Sequence, residues 1–431
     1  MLPAIGTTIP GPKSLDLAKE LHRYESHNIT YLSSDFPVFW ERARGVNVWD
    51  VDGNRFLDLT SGFGVANLGF NSNSVVKSAQ LQLEQVHHVM GDVHPAEVKV
   101  DLCRELSRWT FERWGEGVGK SILTNSGAEA IEAALKTAFI VTRKRGVISF
   151  SGAYHGLGYG SLTVSGLEEF RSPFRAQLAD FSSQLSFPNP QQATEIASAS
   201  SIEAELRHLI NNKEIGAILV EPIQGRGGII VPPDWFLPLL RRIATEYGVL
   251  LILDEIYTGL YRTGHRFACD AVGVVPDLIC LGKALTNGFP LSVCVGRTEI
   301  MDKWPVSDGE ALHTSTFLGN PLGCRMALAS LKELEEAESK WEILRKGTRL
   351  KEELMQLSLG VVRGRGLLIG LEVSDYNLAG KLLVDGLKRG LILLTSGPQR
   401  NVLTLTPPFP ITPEELSWSV DQIGLIAVQN M

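Results

Sequence analysis

The sequence predicts an α/β protein with a large domain on a mostly parallel sheet and a second, smaller α+β domain. From about Ser121 to Gly296, short apolar runs alternate with helical stretches; the runs are SILT, GVISF, GAILVEP, VLLILDE, DLICLG and LSVCVG. Continuous apolar strands separated by helices are typical of a parallel sheet that is covered on both faces. After Asn320 the pattern changes to a long helical stretch followed by strands, which indicates the second domain.

The first elements lie before the large sheet. A helix is predicted from Ser14 towards Tyr24. The segment NVWDVDGNRFLDL, residues 47–59, alternates apolar and polar residues around a DG turn, which is typical of a β-hairpin.

The last elements follow Asn320. A long helical stretch precedes the strand-like segments VVRGRGLLIGLEV, GLILLTSG and VLTLTPP, and a last helix begins near Thr412. We therefore expect an N-terminal segment 1–65 that packs with the small domain, a large domain 66–322 and a C-terminal small domain 323–431.

Composition limits the function. The 431 residues include 44% hydrophobic and 21% charged residues, which is ordinary for a globular protein, and the net charge of −7 gives no footprint for nucleic acid or an anionic membrane. The five cysteines form no CxxC pair and show no zinc spacing. We expect free thiols, no metal site, no secretory signal and a cytoplasmic protein.

Two strand ends carry residues whose position suggests chemistry. Asp254 ends the run VLLIL, and ligands bind at the carboxyl edge of open α/β sheets. The alternative is an Asp that caps the following helix. Lys283 follows DLICLG in the same way. It is either a surface lysine or a desolvated amine whose lowered pKa makes it a nucleophile toward aldehydes.

Two other strand ends suggest a phosphate site and an aromatic platform. After SILT, a turn containing Ser126 and Gly127 leads into a helix that opens with Ala128, and such a helix N-terminus suits a phosphate. The alternative is an ordinary N-cap by Ser126. After GVISF, Tyr154 can stack on a ring and His155 can orient a carboxylate. The alternative is a core aromatic beside a hydrogen-bonded histidine.

A phosphate site, an aromatic side chain, a buried Asp and a buried Lys are together the parts of a pyridoxal 5′-phosphate site. In that interpretation the helix N-terminus holds the phosphate and Asp254 keeps the ring nitrogen protonated. Lys283 forms a Schiff base with the aldehyde and then moves a proton to and from the substrate.

Segments along nearly the whole chain resemble the class III pyridoxal-phosphate-dependent aminotransferases, which include acetylornithine, ornithine and 4-aminobutyrate aminotransferases. The resemblance rests on WDVDGNRFLDLTSG, NSGAEAIEAALK, SGAYHG, LVEPIQGRGG, LILDEIYTG with RTG, PDLICLGKALTNGFP, HTSTFLGNP and RGRGLLIG, in the family's order. It implies fold type I with a sheet of the seven-stranded type, and a homodimer with active sites at the subunit interface. The implied reaction moves an amino group from an amine or (ω-)amino acid donor to a 2-oxo acid through an aldimine at Lys283.

The resemblance also implies residue roles. Gly127 and Ala128 would hold the phosphate through backbone N–H groups, while Tyr154 and Ile256 would pack on opposite faces of the ring. Thr316 would reach the phosphate from the partner subunit. The catalytic residues would be Lys283 and Asp254. The cofactor site would comprise Ser126, Gly127, Ala128, Tyr154, His155, Glu221, Asp254, Ile256, Tyr257, Lys283 and Thr316, and the substrate site Phe63, Leu157, Arg226 and Thr404.

The chain departs from the family's pattern near the substrate. Tyr257 stands where the family has a glutamine, and a tyrosine can still donate to the cofactor's phenolic oxygen. Leu157 replaces an arginine that binds carboxylates in several members. Arg226 replaces the glutamate of QGEGG, and Thr404 replaces the arginine that usually clamps 2-oxoglutarate. Arg226 therefore either points to solvent or holds a substrate carboxylate.

Three other functions compete with the aminotransferase. A racemase or epimerase of the same family would deprotonate and reprotonate the substrate Cα instead of completing the amino transfer. A non-catalytic cofactor-binding module is disfavoured by the intact Lys283 and Asp254. A nucleotide-binding enzyme would need GxGxxG or GxxxxGK[ST] after the first strand, and the sequence has neither.

Overall fold

The structure, a computed structural model, describes residues 1–191 and 198–430. The chain divides into two compact units, one formed by residues 1–72 with 337–431 and the other by residues 73–336. The N-terminal segment thus belongs to the same unit as the C-terminal region. The boundary lies at 336/337, beyond the helix that begins at Pro321, whereas 322/323 was expected from the sequence.

The strands of the described residues lie in three sheets. In chain order they are β1 Trp40–Arg44, β2 Asn47–Asp50, β3 Arg55–Asp58, β4 Gly119–Thr124, β5 Gly146–Phe150, β6 Ser182–Leu185, β7 Ile215–Val220, β8 Leu250–Asp254, β9 Leu278–Leu281, β10 Ser292–Arg297, β11 Gly360–Arg365, β12 Leu368–Val373, β13 Leu391–Ile392, β14 Leu394–Ser396 and β15 Val402–Leu405.

The α-helices of the described residues vary from single turns to 18 residues. They are α1 Pro12–Tyr24, α2 Ser61–Gly64, α3 Asn73–Gln85, α4 Glu97–Ser107, α5 Gly127–Thr142, α6 Tyr159–Val164, α7 Glu168–Arg171, α8 Ala199–Asn212, α9 Phe236–Tyr247, α10 Thr298–Met301, α11 Pro321–Leu334, α12 Ala337–Trp341, α13 Ile343–Gln356, α14 Tyr376–Lys388 and α15 Pro413–Asn430. None of them combines the length and apolarity that crossing a membrane requires.

The large sheet of unit 73–336 has the order β4-β10-β9-β8-β7-β5-β6. Strands β5 to β9 pair in parallel, whereas β10 is antiparallel to both β9 and β4. The start of β10 lies opposite the ends of both neighbours, because its first two residues pair with Thr124 and Leu281. The carboxyl ends of β4, β5, β7, β8 and β9 therefore meet at one edge of the sheet.

Helix α5 closes one face of this sheet. Ala130, Ala134 and other buried apolar residues of the helix pack on Leu219, Ile252 and Cys280 of the strands. Small alanine side chains let the helix lie close to the sheet, and burial of apolar area drives the packing. The N-terminus of α5 is thus held at the edge where the strands end.

The other unit contains two smaller sheets, β1-β2-β3-β13 and β11-β12-β15-β14. Strands β2 and β3 form the predicted hairpin, and Gly53 in its turn has φ +88°. The strand-like segment VVRGRGLLIGLEV forms the antiparallel pair β11 and β12. The long predicted helical stretch after Asn320 is divided into α11, α12 and α13.

Candidate active site

Asp254 and His155 meet at the carboxyl edge of the large sheet. Asp254 ends β8 and His155 follows β5, and His155 Nδ1 lies 2.7 Å from Asp254 Oδ2 with both side chains buried. The Ile256 N–H donates to Asp254 Oδ1 at 3.1 Å. The residues after Asp254 form turns, so the helix that the capping alternative requires does not follow β8 in the described chain. One carboxylate oxygen accepts from this turn, and the other contacts the imidazole.

The second ring nitrogen of His155 is buried and has no hydrogen-bond partner among the described residues. The backbone N–H of the same residue donates to Ser165 Oγ at 3.0 Å, which fixes the turn after β5. The interpretation of His155 as a fully satisfied core histidine therefore does not describe this side chain.

Glu221, just after β7, is a second buried carboxylate at this edge. It accepts hydrogen bonds from the backbone N–H groups of Tyr154 at 3.1 Å and Gly225 at 3.3 Å. Burial, with a smaller contribution from the charge of Asp254, raises the pKa of Glu221 to about 7, against the opposing effect of His155. Its carboxyl group joins the turn after β5 to the loop after β7.

Lys283 follows β9 in a 3₁₀ turn, Lys283–Leu285, and is half-buried. Its backbone has φ +44°, a left-handed conformation that is uncommon for a long side chain and occurs often at functional sites. The Nζ lies 4.8 Å from the centre of the Tyr257 ring. Burial lowers the pKa of Lys283, against the opposing charges of Asp254 and Glu221.

The turn after β4 combines both functions considered for it. Ser126 is the N-cap of α5, and its side chain accepts from the Glu129 N–H at 3.3 Å. The N–H groups of Gly127 and Ala128 have no acceptor within residues 1–191 and 198–430. An N-cap thus coexists with free donors at the positive end of the helix.

An aromatic cluster flanks the edge. The rings of Tyr154 and Phe170 lie 5.6 Å apart in an edge-to-face arrangement. The Cζ of Arg226 lies 4.9 Å from the Tyr154 ring centre and 5.5 Å from that of Phe170. Phe170 was not predicted as a site residue, because nothing in LEEF distinguishes it from an ordinary helix residue.

The remaining predicted residues are placed as follows. In unit 73–336, the side chain of Leu157 is 53% exposed, and Thr316 is also exposed. In the other unit, Phe63 is 57% exposed with φ +65°. Thr404 is buried in β15, where its hydroxyl lies 2.6 Å from Ser396 Oγ.

A family model and similar proteins of known name agree on one family for this chain. The family model described as aminotransferase class-III matches residues 30–426. A 4-aminobutyrate aminotransferase of Mycobacterium leprae is 35% identical over 97% of each chain. The chain is a class III aminotransferase.

Solved structures of this kind resemble the aminotransferase over nearly its whole length. An (S)-enantioselective omega-transaminase from Thermomicrobium roseum has a TM-score of 0.86 at 28% identity, covering 97% of this chain and 98% of that one. An amine transaminase from an uncultivated Pseudomonas species, determined with bound pyridoxal phosphate, has a TM-score of 0.84 at 27% identity, covering 94% and 98%. Pyridoxal 5′-phosphate is the cofactor of this aminotransferase.

The residues at the strand ends fit that cofactor. Free N–H groups at the start of α5 suit its phosphate, and the buried Asp254 suits a protonated ring nitrogen. The side chain of Ile256 lies beside the phosphate turn, since a Cβ added to Gly127 would be 3.0 Å from Ile256 Cδ1. A larger residue at 127 would therefore close the space beside the helix N-terminus.

Proposed function

We propose that this aminotransferase transfers the amino group of an amine or ω-amino acid to a 2-oxo acid, and that it acts as a cytoplasmic homodimer. Support for the donor class comes from the names of its relatives, which are a 4-aminobutyrate aminotransferase, an omega-transaminase and an amine transaminase. The free cysteines of the chain agree with a reducing compartment.

The observation that carries the proposal is the amine of Lys283 at the same sheet edge as the Asp254–His155 pair. When bound, pyridoxal phosphate supplies the aldehyde that takes up the amino group and the ring that withdraws electrons from the substrate carbon. The residues of the chain supply position, charge and proton transfer.

Each residue has a distinct role in this proposal. Asp254 holds a negative charge beside the ring nitrogen, and His155 keeps the carboxylate oriented through the 2.7 Å contact. Lys283 anchors the cofactor covalently and then, as a free amine with a lowered pKa, moves a proton on the substrate.

The other residues hold the cofactor. Gly127 and Ala128 donate to its phosphate, and Tyr154 and Ile256 enclose its ring. Tyr257 lies against the Lys283 amine.

The homodimer is proposed because a group of large apolar side chains is exposed in unit 73–336. The exposed fraction is 57% for Met90, 62% for Val93, 72% for Leu312 and 57% for Phe317. Exposed apolar surface of this kind is typical of protein interfaces. The exposed Thr316 adjoins Phe317, which agrees with a role in the partner's phosphate site, and a monomer with full activity in sedimentation experiments would contradict the dimer.

Replacement of Lys283 tests the proposed function. We expect that Lys283→Ala loses transamination almost completely and that borohydride no longer fixes the cofactor on the protein. Peptide mass spectrometry of the reduced wild type should find the cofactor on Lys283, and the exposed Lys303→Ala variant serves as a control. A reducible covalent link at another lysine in the Lys283→Ala protein would show that the assignment is wrong.

A further inference from the structure

Arg226 lies on a loop whose backbone is fixed at several points. Gln224 and Ile230 close the loop with two backbone hydrogen bonds of 3.1 Å each. Gly225 packs directly on Tyr257, because a Cβ added at Gly225 would be 2.4 Å from Tyr257 Cδ1. The Gly225 N–H also donates to Glu221. The backbone next to Arg226 is therefore tied to two residues of the proposed cofactor site.

Two aromatic rings hold the Arg226 side chain, but they leave its N–H groups without acceptors. The Cζ is within 5.5 Å of the centres of both the Tyr154 and Phe170 rings. Within residues 1–191 and 198–430, no carboxylate pairs with this guanidinium and no oxygen accepts from it. A guanidinium has five N–H donors in one plane and remains charged at all physiological pH values. An exposed, ring-supported arginine is thus ready to bind an anion.

The charges around Lys283 show why such a cation is useful. Asp254 and Glu221 place carboxylates at the same edge, and an incoming substrate carboxylate is repelled by any negative charge there. Arg226 is close enough for its charge to contribute to the lowered pKa of Lys283, after the larger effect of burial. The cation therefore acts on the same space as the reactive amine.

We propose that Arg226 binds the carboxylate of the 2-oxo acid acceptor through two parallel hydrogen bonds, while Tyr154 and Phe170 hold its guanidinium in place. The inference rests on the proposed function. Every 2-oxo acid has a carboxylate next to its carbonyl group, whereas a simple amine has none and an ω-amino acid has its carboxylate at the end opposite the reacting amino group. A fixed cation beside the Lys283 amine is consequently needed in the half of each turnover that uses the 2-oxo acid. A donor amine without a carboxylate does not require this cation.

Binding of an unreactive carboxylate tests this role apart from catalysis. Titration calorimetry with glutarate on the cofactor-loaded protein should give a Kd that is raised roughly 10- to 100-fold in Arg226→Ala, as for loss of charged hydrogen bonds. Arg226→Lys should recover part of the affinity, because an ammonium offers charge but not two parallel N–H groups. Arg266→Ala is the matched control, since Arg266 Cζ also lies over a ring, at 4.2 Å from the Trp109 centre.

Half-reactions measured separately complete the test. For Arg226→Ala we expect the KM for the 2-oxo acid to rise roughly 10- to 100-fold, with cofactor affinity and the single-turnover rate with a neutral amine within about twofold of the wild type. Equal losses with amine and 2-oxo acid would overturn the proposal, since Arg226 would then only support Tyr154. Unchanged binding of glutarate and 2-oxo acid would overturn it too.

A selective acceptor defect must be distinguished from misfolding of the variant and from failure of the proposed function. Arg226→Gln keeps more of the side chain than alanine does and removes the charge, so it replaces Arg226→Ala if that variant does not fold by circular dichroism, and the same selective loss is expected. Failure of the wild type to accept any amine or ω-amino acid would contradict the proposed function, whereas a selective acceptor defect concerns Arg226 alone.

Discussion

Asp254 and Glu255 are consecutive and both buried, but they face two different regions of the same unit. Asp254 contacts His155, which lies 99 residues away along the chain, at the edge where the strands of the large sheet end. Glu255 turns to the segment after β8, where it accepts from the backbone N–H groups of Ala268 at 3.1 Å and Cys269 at 2.9 Å. The hydroxyl of Thr258 also donates to Glu255.

The difference shows that burial alone does not identify a catalytic carboxylate. Burial raises the pKa of Glu255 to about 7, although Thr258 and two backbone N–H groups oppose the shift. These donors all come from one local segment, which Glu255 closes into a compact loop. Asp254 instead joins two segments that are distant in the sequence. We infer that Glu255 acts in stability and Asp254 in chemistry.

The largest expected effect is on the Asp254 side. Asp254→Asn removes the negative charge while keeping size and shape, so we expect kcat to fall roughly a hundredfold or more, as for loss of a preorganised charge. Cofactor should still bind, because the helix N-terminus and Lys283 are unchanged. Steady-state kinetics at saturating pyridoxal phosphate measure the effect. Activity within tenfold of the wild type, about 1.4 kcal/mol, would contradict the assigned role.

The next largest effect is the pH dependence of the free energy of unfolding that Glu255 causes. A folded-state pKa raised from the usual 4.5 to about 7 means that the folded protein holds the Glu255 proton more tightly than the unfolded chain. The stability from this group is present below pH 4.5 and is lost as the pH rises through about 7, in total about 3 kcal/mol.

Glu255→Gln tests this sign. A glutamine does not ionise, so the free energy of unfolding of the variant relative to the wild type should rise between pH 5 and pH 8. Denaturant unfolding at both pH values measures the difference, and Glu221, whose pKa is also about 7, is unchanged in both proteins. A wild-type minus variant difference that does not change with pH would show that Glu255 does not titrate in this range. Transamination should remain within a few-fold of the wild type.

Much of the fold follows from local patterns in the sequence. The apolar run of β8 and the alternation in β2 and β3 are properties of a few consecutive residues, so strand positions and the hairpin were predictable. The antiparallel direction of β10 was not predictable, because SVCVGR has the same apolar pattern in a parallel or an antiparallel strand. Pairing depends on the path of the chain between strands, which periodicity does not encode.

The candidate site divides in the same way. The positions of Lys283 and Asp254 at the sheet edge were predictable because each follows an apolar run, and the ends of parallel strands meet. Phe170 was not, because its contact with Arg226 depends on how the helix containing Phe170 returns to the sheet edge. The different partners of Asp254 and Glu255 were equally hidden, since they depend on how the segment after β8 folds back onto Glu255 and on which strand end lies beside Asp254.

The smallest expected effect is the loss of stability on removing the Thr258 hydroxyl, which donates to Glu255. Thr258→Val keeps the shape of the side chain but removes the donor to Glu255, so the charged form of Glu255 loses one stabilising hydrogen bond. The folded-state pKa of Glu255 should rise further. Destabilisation should therefore be larger at pH 8, about 2 kcal/mol, than at pH 5, about 1 kcal/mol, because hydrogen bonds to charged groups are the stronger ones.

Thr263→Val is the matched control for Thr258→Val. Thr263 is buried in the same segment, and its hydroxyl has no hydrogen-bond partner in the part of the chain that the structure describes. Replacing an unpaired buried hydroxyl by a methyl group should be neutral or stabilising at both pH values. Equal, pH-independent losses in the two variants would mean that Thr258 only fills space. A loss of kcat in Thr258→Val without a loss of stability would instead connect the Glu255 region to the chemistry and remove the distinction between the two carboxylates.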